Sequence, residues 1–471
     1  MAIRRVRAPR IDFGALRREL KLPSGFPADA QREAEEAAAA SPVTTTDRTD
    51  IAFVTIDPVT SMDLDQAMCL RRRPGGGYRV HYAIADVSAF VRRGGALEAE
   101  TWRRGQTVYL PDGKVPLHPP VLSEGAASLL PDRIRPAVVW TIDLDADGAT
   151  LDVHLERALV RSRAKLDYAG VQSDVDAGRL AEPVALLPEV GKLLVDRGLA
   201  RGAVNLPVPE QQVEPDDGGW RLLLRAPVPV EEYNAQISLL TGMAAATLML
   251  HAGIGLLRTM PAPHPEAVER LRVAARGLGI EWPPGTSVGR LLAGLDPADP
   301  CHAAFVDHAA ELMRGAAYTA FDGTPPDKPG HGAVAAPYAH VTAPLRRLAD
   351  RYATEVCLAV HDGAQVPDWV RASLPRLPEV MAKSDQVANT AERGAVDLAE
   401  AVLLARWVGE EFAAVVLDVD ERRPDRGGTV AVQDPPVRAR CDGTRLPLGE
   451  RIRVRLVEAD PVQRRVRFTA A

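Results

Sequence analysis

Cysteine, lysine and aromatic side chains are all scarce in this chain. Its four cysteines, Cys69, Cys301, Cys357 and Cys441, are far apart and never form a Cys-x-x-Cys pair. That excludes a disulfide framework and a cysteine zinc site and makes the cytoplasm the expected compartment. Lysine occurs 6 times against 51 arginines. A GC-rich genome accounts for such a bias, which also supplies forked donors suited to phosphate. No apolar run reaches 18 residues, so no membrane segment is expected. Met1 to Arg10 carries four arginines with no apolar run behind them, unlike a secretory signal. The ten histidines are dispersed, without HxH or HExxH spacing, and neither a Walker loop nor a dinucleotide fingerprint occurs. No organic cofactor is therefore expected.

What remains is a globular composition, 46% hydrophobic and 25% charged, with room in 471 residues for two or three domains. The formal net charge of -6 hides an uneven distribution: residues 1–21 and 437–471 carry +5 each and residues 22–436 carry -16. Two short helices are expected over 12–22 and 29–40, then a polar boundary, SPVTTTDRTD, over 41–50. Strand-like segments follow at 51–56, 62–70 and 78–90, with a hairpin turn at RRRPGGG. From Pro229 the pattern is helical: Tyr233, Ile237, Leu240, Ala244 and Leu248 form one stripe, and Leu345, Leu348, Tyr352 and Val356 another. Strands first and helices later predict an α+β domain. In the last 60 residues short strands return, and Arg451, Arg453 and Arg455 alternate with Ile452, Val454 and Leu456. One face is then basic, either the nucleic-acid face of a small OB-type barrel or an ordinary solvated sheet face.

Chemistry concentrates in TIDPVTSMDLDQA, residues 55–67. Asp57 ends a β-rich run before Pro58, and an extended segment 62–70 would put Asp63 and Asp65 on one face about 7 Å apart. Carboxylates so close raise one another's pKa and call for a cation. Oxygen donors without a nearby Cys or His pair favour magnesium, with manganese possible. An acidic surface turn is the plainer alternative, but the apolar residues between the aspartates favour burial. In YAHVTAPLRRLAD, 338–350, Pro344 suits a first helical turn and places Arg346 and Arg347 at a helix amino terminus, a setting for phosphate. An Arg346–Asp350 pair could instead account for one of them. His340 lies within the same motif. Gly285–Gly289 matches a nucleophile elbow, but Ser287 follows Trp-Pro-Pro and reads as a helix cap.

These segments resemble the RNB exoribonucleases, the RNase II and RNase R group. Asp57, Asp63, Asp65 and Gln66 are similar to that family's Asp, five residues, Asp-x-Asp-Asp. YAIADVSAFV, with Asp86, resembles its HIADVS stretch, and 103–131 resembles its RGxSVYLP…LS segment. YAHVTAPLRRLAD is similar to YxHFTSPIRRYxDL. The resemblance implies a short helical region (1–47), a large RNB catalytic domain of mostly antiparallel sheet with surrounding helices (48–405) and an all-β OB-fold barrel that binds RNA (412–471).

It also implies 3′-to-5′ hydrolysis of single-stranded RNA to 5′-mononucleotides, with Asp57, Asp63, Asp65 and Gln66 holding magnesium and Asp65 closest to the chemical step. Tyr109 would stack on the terminal nucleotide, Arg346 would grip the scissile phosphate, and Arg347, Arg451, Arg453 and Arg455 would contact RNA. Three departures stand out. Gln66 replaces an acid, so metal would be held more weakly or with help from another carboxylate such as Asp86. Gln236 stands where a glutamate near the terminal base is usual. The 50 residues before the acidic motif cannot build the two cold-shock barrels of typical members. A monomer is expected. Gln66 also motivates an alternative, an RNA-binding protein with an impaired RNB domain.

Overall fold

The computed structural model describes residues 10–40, 44, 46–206, 210–216, 219–296, 298–419 and 424–471. Of the basic amino-terminal stretch only Arg10 is among them, and the polar boundary 41–50 is described only at 44 and 46–50.

The expected amino-terminal helices form over Phe13–Glu19 and Ala28–Ala39. Asp12 caps the first, its carboxylate accepting from the amide of Gly14 at 2.9 Å. The strand-like segments do more than pair. Phe53–Ile56, Gln66–Arg72, Tyr78–Ala85, Ile134–Leu144 and Thr150–Leu166 close into a five-stranded central barrel, antiparallel except where the first strand meets the last. At the hairpin turn Gly77 has φ +79°, and any Cβ there would lie 2.2 Å from the carbonyl oxygen of Leu144.

The central strands are apolar on both faces, so Tyr78–Ala85 and Ile134–Leu144 read as nearly continuous hydrophobic runs, whereas Thr150–Leu166 is only partly buried. Large side chains such as Trp140, Tyr82 and Ile84 pack with the helices Pro229–Ala252 and Leu348–His361. Small ones, among them Ala67, Ala83 and Ala137, pack with Ala30, Ala34 and Leu97 of the amino-terminal and Ala96–Arg104 helices.

Helix Pro229–Ala252 starts with Pro at its first turn and ends on Gly253 in the left-handed region, φ +72°. It is long and apolar enough to cross a membrane by length and composition alone. In the fold, its Ile237, Leu240, Ala245 and Met249 lie in the main core. Gly242 lets the motif segment lie directly against this helix: the amide of Ala339 donates to the carbonyl of Gly242 at 3.1 Å, and a Cβ on Gly242 would meet the Tyr338 ring at 2.2 Å. Ser287 caps the helix Val288–Ala293, as its sequence context indicates.

Helix Leu377–Leu404 leads to a second closed barrel of five strands between Glu411 and Ala470. In chain order its strands neighbour one another as 1-2-3-5-4, and Pro436–Asp442 runs parallel to Arg465–Ala470. This is the OB arrangement. Val454 and Leu456 are buried while Arg451, Arg453 and Arg455 are exposed, so the expected alternation holds. One further cluster joins Phe13 and Leu16, the hairpin residues Val108, Leu110 and Val115, Ala391 and Ala395 of the long helix, and the barrel core.

Candidate active site

The acidic segment is not the extended strand expected for 62–70, because regular pairing begins only at Gln66. Leu64 explains the change. Its side chain is fully buried, its amide donates to Ser128 Oγ at 3.0 Å, and its carbonyl accepts from the amide of Leu129 at 3.0 Å. Tied to 128–129 rather than to the barrel, the chain directs its two flanking aspartates to different partners.

Asp65 reaches the arginine motif. It is 6% exposed, and its Oδ1 accepts from the amide of Leu345 at 2.7 Å. Arg346 Nε lies 3.7 Å from its other oxygen. Burial pushes the Asp65 carboxyl up to about 8, against the opposing pull of Arg346 and the Leu345 N–H. Asp57, just past the strand Phe53–Ile56, is pushed up to about 6 by burial and then by the charge of Asp63, with Lys165 and Arg346 pulling it down. Asp63 faces the hairpin formed by Val108–Leu110 and Gly113–Val115, where Tyr109 and Lys114 are directly paired across the strands. Tyr109 Oη donates to Asp63 Oδ2 at 3.2 Å, and Lys114 Nζ lies 2.7 Å from Asp63 Oδ1. Burial disfavours the Lys114 charge, but bonds to Asp63 and Glu124 outweigh it and raise its pKa.

The arginine motif differs from the expected helix start. Helix Leu348–His361 begins after both arginines, and residues 343–347 form a turn in which the amides of Arg346 and Arg347 both donate to the carbonyl of Ala343. Asp350 holds the turn from below, accepting from the amide of Ala343 at 2.7 Å. It also takes the guanidinium fork of Arg347 at 2.8 and 2.9 Å. Arg347 is thereby paired with Asp350, where the expected partner of that acid was Arg346. Arg346 instead keeps a side chain 43% exposed beside Asp65. Thr107 N donates to the carbonyl of Arg346 at 2.9 Å, and His118 Nδ1 lies 3.1 Å from that of Leu345, so the segment carrying Tyr109 braces the turn.

Other expectations are redistributed. Gln66 Oε1 accepts a short hydrogen bond from Tyr82 Oη. Asp86 does not join the carboxylates; it is buried against Arg157 at 2.8 Å, and Arg157 also holds Glu355. Gln236 lines a cleft of about 500 Å³ with Asn205, Glu232, Tyr338 and His340. From the same helix it is Ser238 that meets the motif, at Thr342 Oγ1, 2.8 Å away. His340 bonds Tyr318 Oη at 2.6 Å, and burial, together with Arg347 and Arg258, keeps it neutral. Arg453 and Arg455 share Glu411 at 3.4 and 2.9 Å, so the basic strand is not a bare cationic face.

Lys114, which no motif reading singles out, pairs directly with Asp63, while Lys165 donates to the carbonyl of Val59 and acts on Asp57 only through its charge. Their rarity was the available signal: two of the six lysines in the chain bear on the carboxylates, one by contact and one by charge.

Three partly or fully buried carboxylates supply hard oxygen donors that suit magnesium or manganese. Among the described residues, however, no three Asp, Glu, His or Cys side chains are grouped to hold an ion by themselves. Asp57, Asp63 and Asp65 therefore fit a divalent ion in donor chemistry, with water or a substrate phosphate completing the shell. Gln66 offers a neutral amide oxygen that accepts from Tyr82 and keeps a second lone pair, so it brings a donor but no charge.

Comparison with known proteins agrees with this architecture. Residues 45–360 match the RNB domain, and residues 410–471 match the RNase II-type exonuclease C-terminal S1 domain. Ribonuclease R of Thermotoga maritima is 26% identical over 445 residues, covering 87% of this chain and 61% of the relative. The Arabidopsis thaliana protein named Inactive exonuclease DIS3L2 is 31% identical over 349 residues, covering 64% and 32%. The chain thus spans less than two thirds of the length of these relatives. Mycoplasma genitalium RNase R in complex with ribose methylated single-stranded RNA has the same fold, with TM-score 0.83 and 20% identity, covering 98% of this chain and 77% of that one.

Proposed function

Since the chain belongs to the RNB domain family and carries an RNase II-type S1 domain at its carboxy end, we propose that it is a 3′-to-5′ exoribonuclease that releases 5′-mononucleotides from single-stranded RNA. The observation that carries this reading is Asp65, buried beneath the Ala343–Arg347 turn with the exposed guanidinium of Arg346 beside it. A phosphodiester approaching from the open side meets a forked cation first and a carboxylate behind it. Tyr109, with 49% of its surface exposed, offers a ring face to the terminal base. Its hydroxyl, tied to Asp63, sets the distance from that base to the acids.

Asp57, Asp63 and Asp65 would hold a divalent ion, which when bound would supply charge neutralisation and an acidified water. Asp65 is placed to orient the attacking water, and Arg346 to take up the charge that grows on the phosphate oxygens. The test is 5′-labelled single-stranded RNA incubated with magnesium or with chelator: a ladder shortening from the 3′ end, lost with chelator, supports the reading, and intact RNA under both conditions overturns it.

A second reading is favoured by Gln66, which adds no charge and has its oxygen bound to Tyr82. In it the chain binds RNA through an impaired RNB domain, and a relative named as inactive shows that such chains occur among similar sequences. It expects tight RNA binding and no mononucleotide release.

A further inference from the structure

The hairpin that carries Tyr109 belongs to neither barrel; its two strands form a sheet of their own. Its base is tied into the arginine turn. Thr107 N donates to the carbonyl of Arg346, the amide of Leu348 donates to the carbonyl of Gly105 at 2.9 Å, and Gln106 bridges to Arg347. Its other end is met by the first helix of the chain. Alternation along Val108–Leu110 turns Tyr109 outward and buries Val108 and Leu110 in the cluster that contains Phe13 and Leu16. At the turn between the strands, Asp112 Oδ2 accepts from Arg17 of that helix at 2.6 Å.

The helix is itself fixed on its remaining sides. Phe13 meets Trp220 edge-on, with ring centroids 5.3 Å apart. Leu16 lies so close to the long helix that a Cβ on Gly394 would fall 3.0 Å from its Cδ1. Glu19 pairs at 2.7 Å with Arg464, in the turn between the last two strands of the second barrel. Toward the hairpin, by contrast, packing is incomplete. A cavity of about 410 Å³ is lined by Gly14, Arg17 and Arg18 on the helix and by Lys114 and Val115 on the second strand. Apolar contact alone therefore leaves the turn room to shift, and the Arg17–Asp112 pair closes that freedom.

We infer that Arg17 is a positioning residue for the nucleotide-binding hairpin: it braces Asp112, and so keeps Tyr109 at the distance from Asp63 at which its ring can meet a terminal base. The inference rests on the reading of Tyr109 as the residue that stacks on that base. It assigns a role in the reaction to a helix outside both the RNB and the S1 matches. The side chains of Arg17 and Asp112 are 27% and 32% exposed, so their pair adds little to global stability. Its weight is geometric, since a displacement on the order of 1 Å can cost about 10²-fold in rate.

Two readouts on the full-length chain test this. One is amide hydrogen exchange of peptides covering 106–116, without RNA. The other is the fluorescence of single-stranded RNA ending in a 3′-terminal 2-aminopurine, bound in the presence of chelator; the part of the signal that Tyr109→Ala abolishes reports stacking. Arg17→Asp sets two like charges side by side. It is expected to speed exchange in the hairpin and to lose most of the stacking signal, with the thermal midpoint nearly unchanged. Arg17→Lys should match the wild type. Arg17→Asp/Asp112→Arg, which restores the pair with its charges exchanged, should recover both readouts. Stacking at the wild-type level in a folded Arg17→Asp protein overturns the inference alone, whatever the exchange shows, as does a double variant no better than the single one. If the wild type gives no stacking signal, or Tyr109→Ala retains it, the reading of Tyr109 falls and the inference falls with it.

Discussion

The backbone amide of Leu345 donates to the carboxylate of Asp65 at 2.7 Å, joining two segments 280 residues apart in the chain. The bond makes the acid and the arginine of the site one unit, because the residue that anchors Asp65 immediately precedes Arg346. Whatever shifts the turn shifts the carboxylate with it.

Asp65→Asn keeps an oxygen that can accept from Leu345 and removes the charge. Hydrolysis is expected to fall by a factor on the order of 10²–10⁴, with RNA affinity and thermal midpoint nearly unchanged. Rate measurements and a filter-binding assay on the same preparation check this, and a variant turning over at the wild-type rate would remove Asp65 from the chemistry.

Arg346 and Arg347 adjoin in sequence but should respond in opposite ways. Arg346→Ala is expected to lower the hydrolysis rate and leave the urea midpoint in place, since the side chain is open to solvent. Arg347→Ala strands Asp350, whose side chain is fully buried. It should cost about 3–5 kcal/mol of stability. Equilibrium unfolding of the two variants side by side decides the matter.

His118 gives a pH dependence with a definite sign. Burial lowers it to about 4 from an ordinary 6.5, with Arg351 and Arg104 acting in the same direction. The folded protein keeps it neutral while the unfolded chain protonates first. Its contribution is therefore whole above about pH 6.5 and lost as the pH falls toward 4, about 3 kcal/mol in all. His118→Gln, which can still donate to the carbonyl of Leu345, should flatten the unfolding free energy between those limits. An unaltered pH slope in that variant would count against the assignment.

Gly242→Ala tests how the motif is seated. The added Cβ would lie 2.2 Å from the Tyr338 ring and 2.6 Å from the Ala339 oxygen, so the segment leading to Arg346 must move off the helix. A loss of about 1–3 kcal/mol is expected, with a larger relative loss of hydrolysis than of RNA binding. Thermal melts and single-turnover rates measure the two effects.

Much of the fold was legible because its signals are local. Alternating Arg and apolar residues in 451–456 fix the faces of a barrel strand, and the Gly75–Gly77 turn fixes a hairpin. Asp57, Asp63, Asp65, Tyr109 and Arg346 were legible as a set because they recur in one ordered motif series. What escaped depends on long-range pairing. Nothing near Asp86 in sequence announces Arg157. Arg346 and Arg347 are equivalent on paper until Asp350 selects one. Lys114 belongs to the site only because its hairpin sets it opposite Tyr109. Likewise Leu64, buried and tied to 128–129, delays the start of the expected strand to Gln66 for a reason that lies 64 residues away.

The scarcity of lysine has a practical side. Reductive methylation with ¹³C-formaldehyde would place labels on only six side chains, at positions 21, 114, 165, 192, 328 and 383. One of the six, Lys114, is paired with Asp63, and another, Lys165, adds its charge near Asp57. With one further signal from the α-amino group, the carbon spectrum would thus be a direct spectroscopic view of the site in a 50.7 kDa protein, since the 51 guanidinium groups stay silent to that reagent.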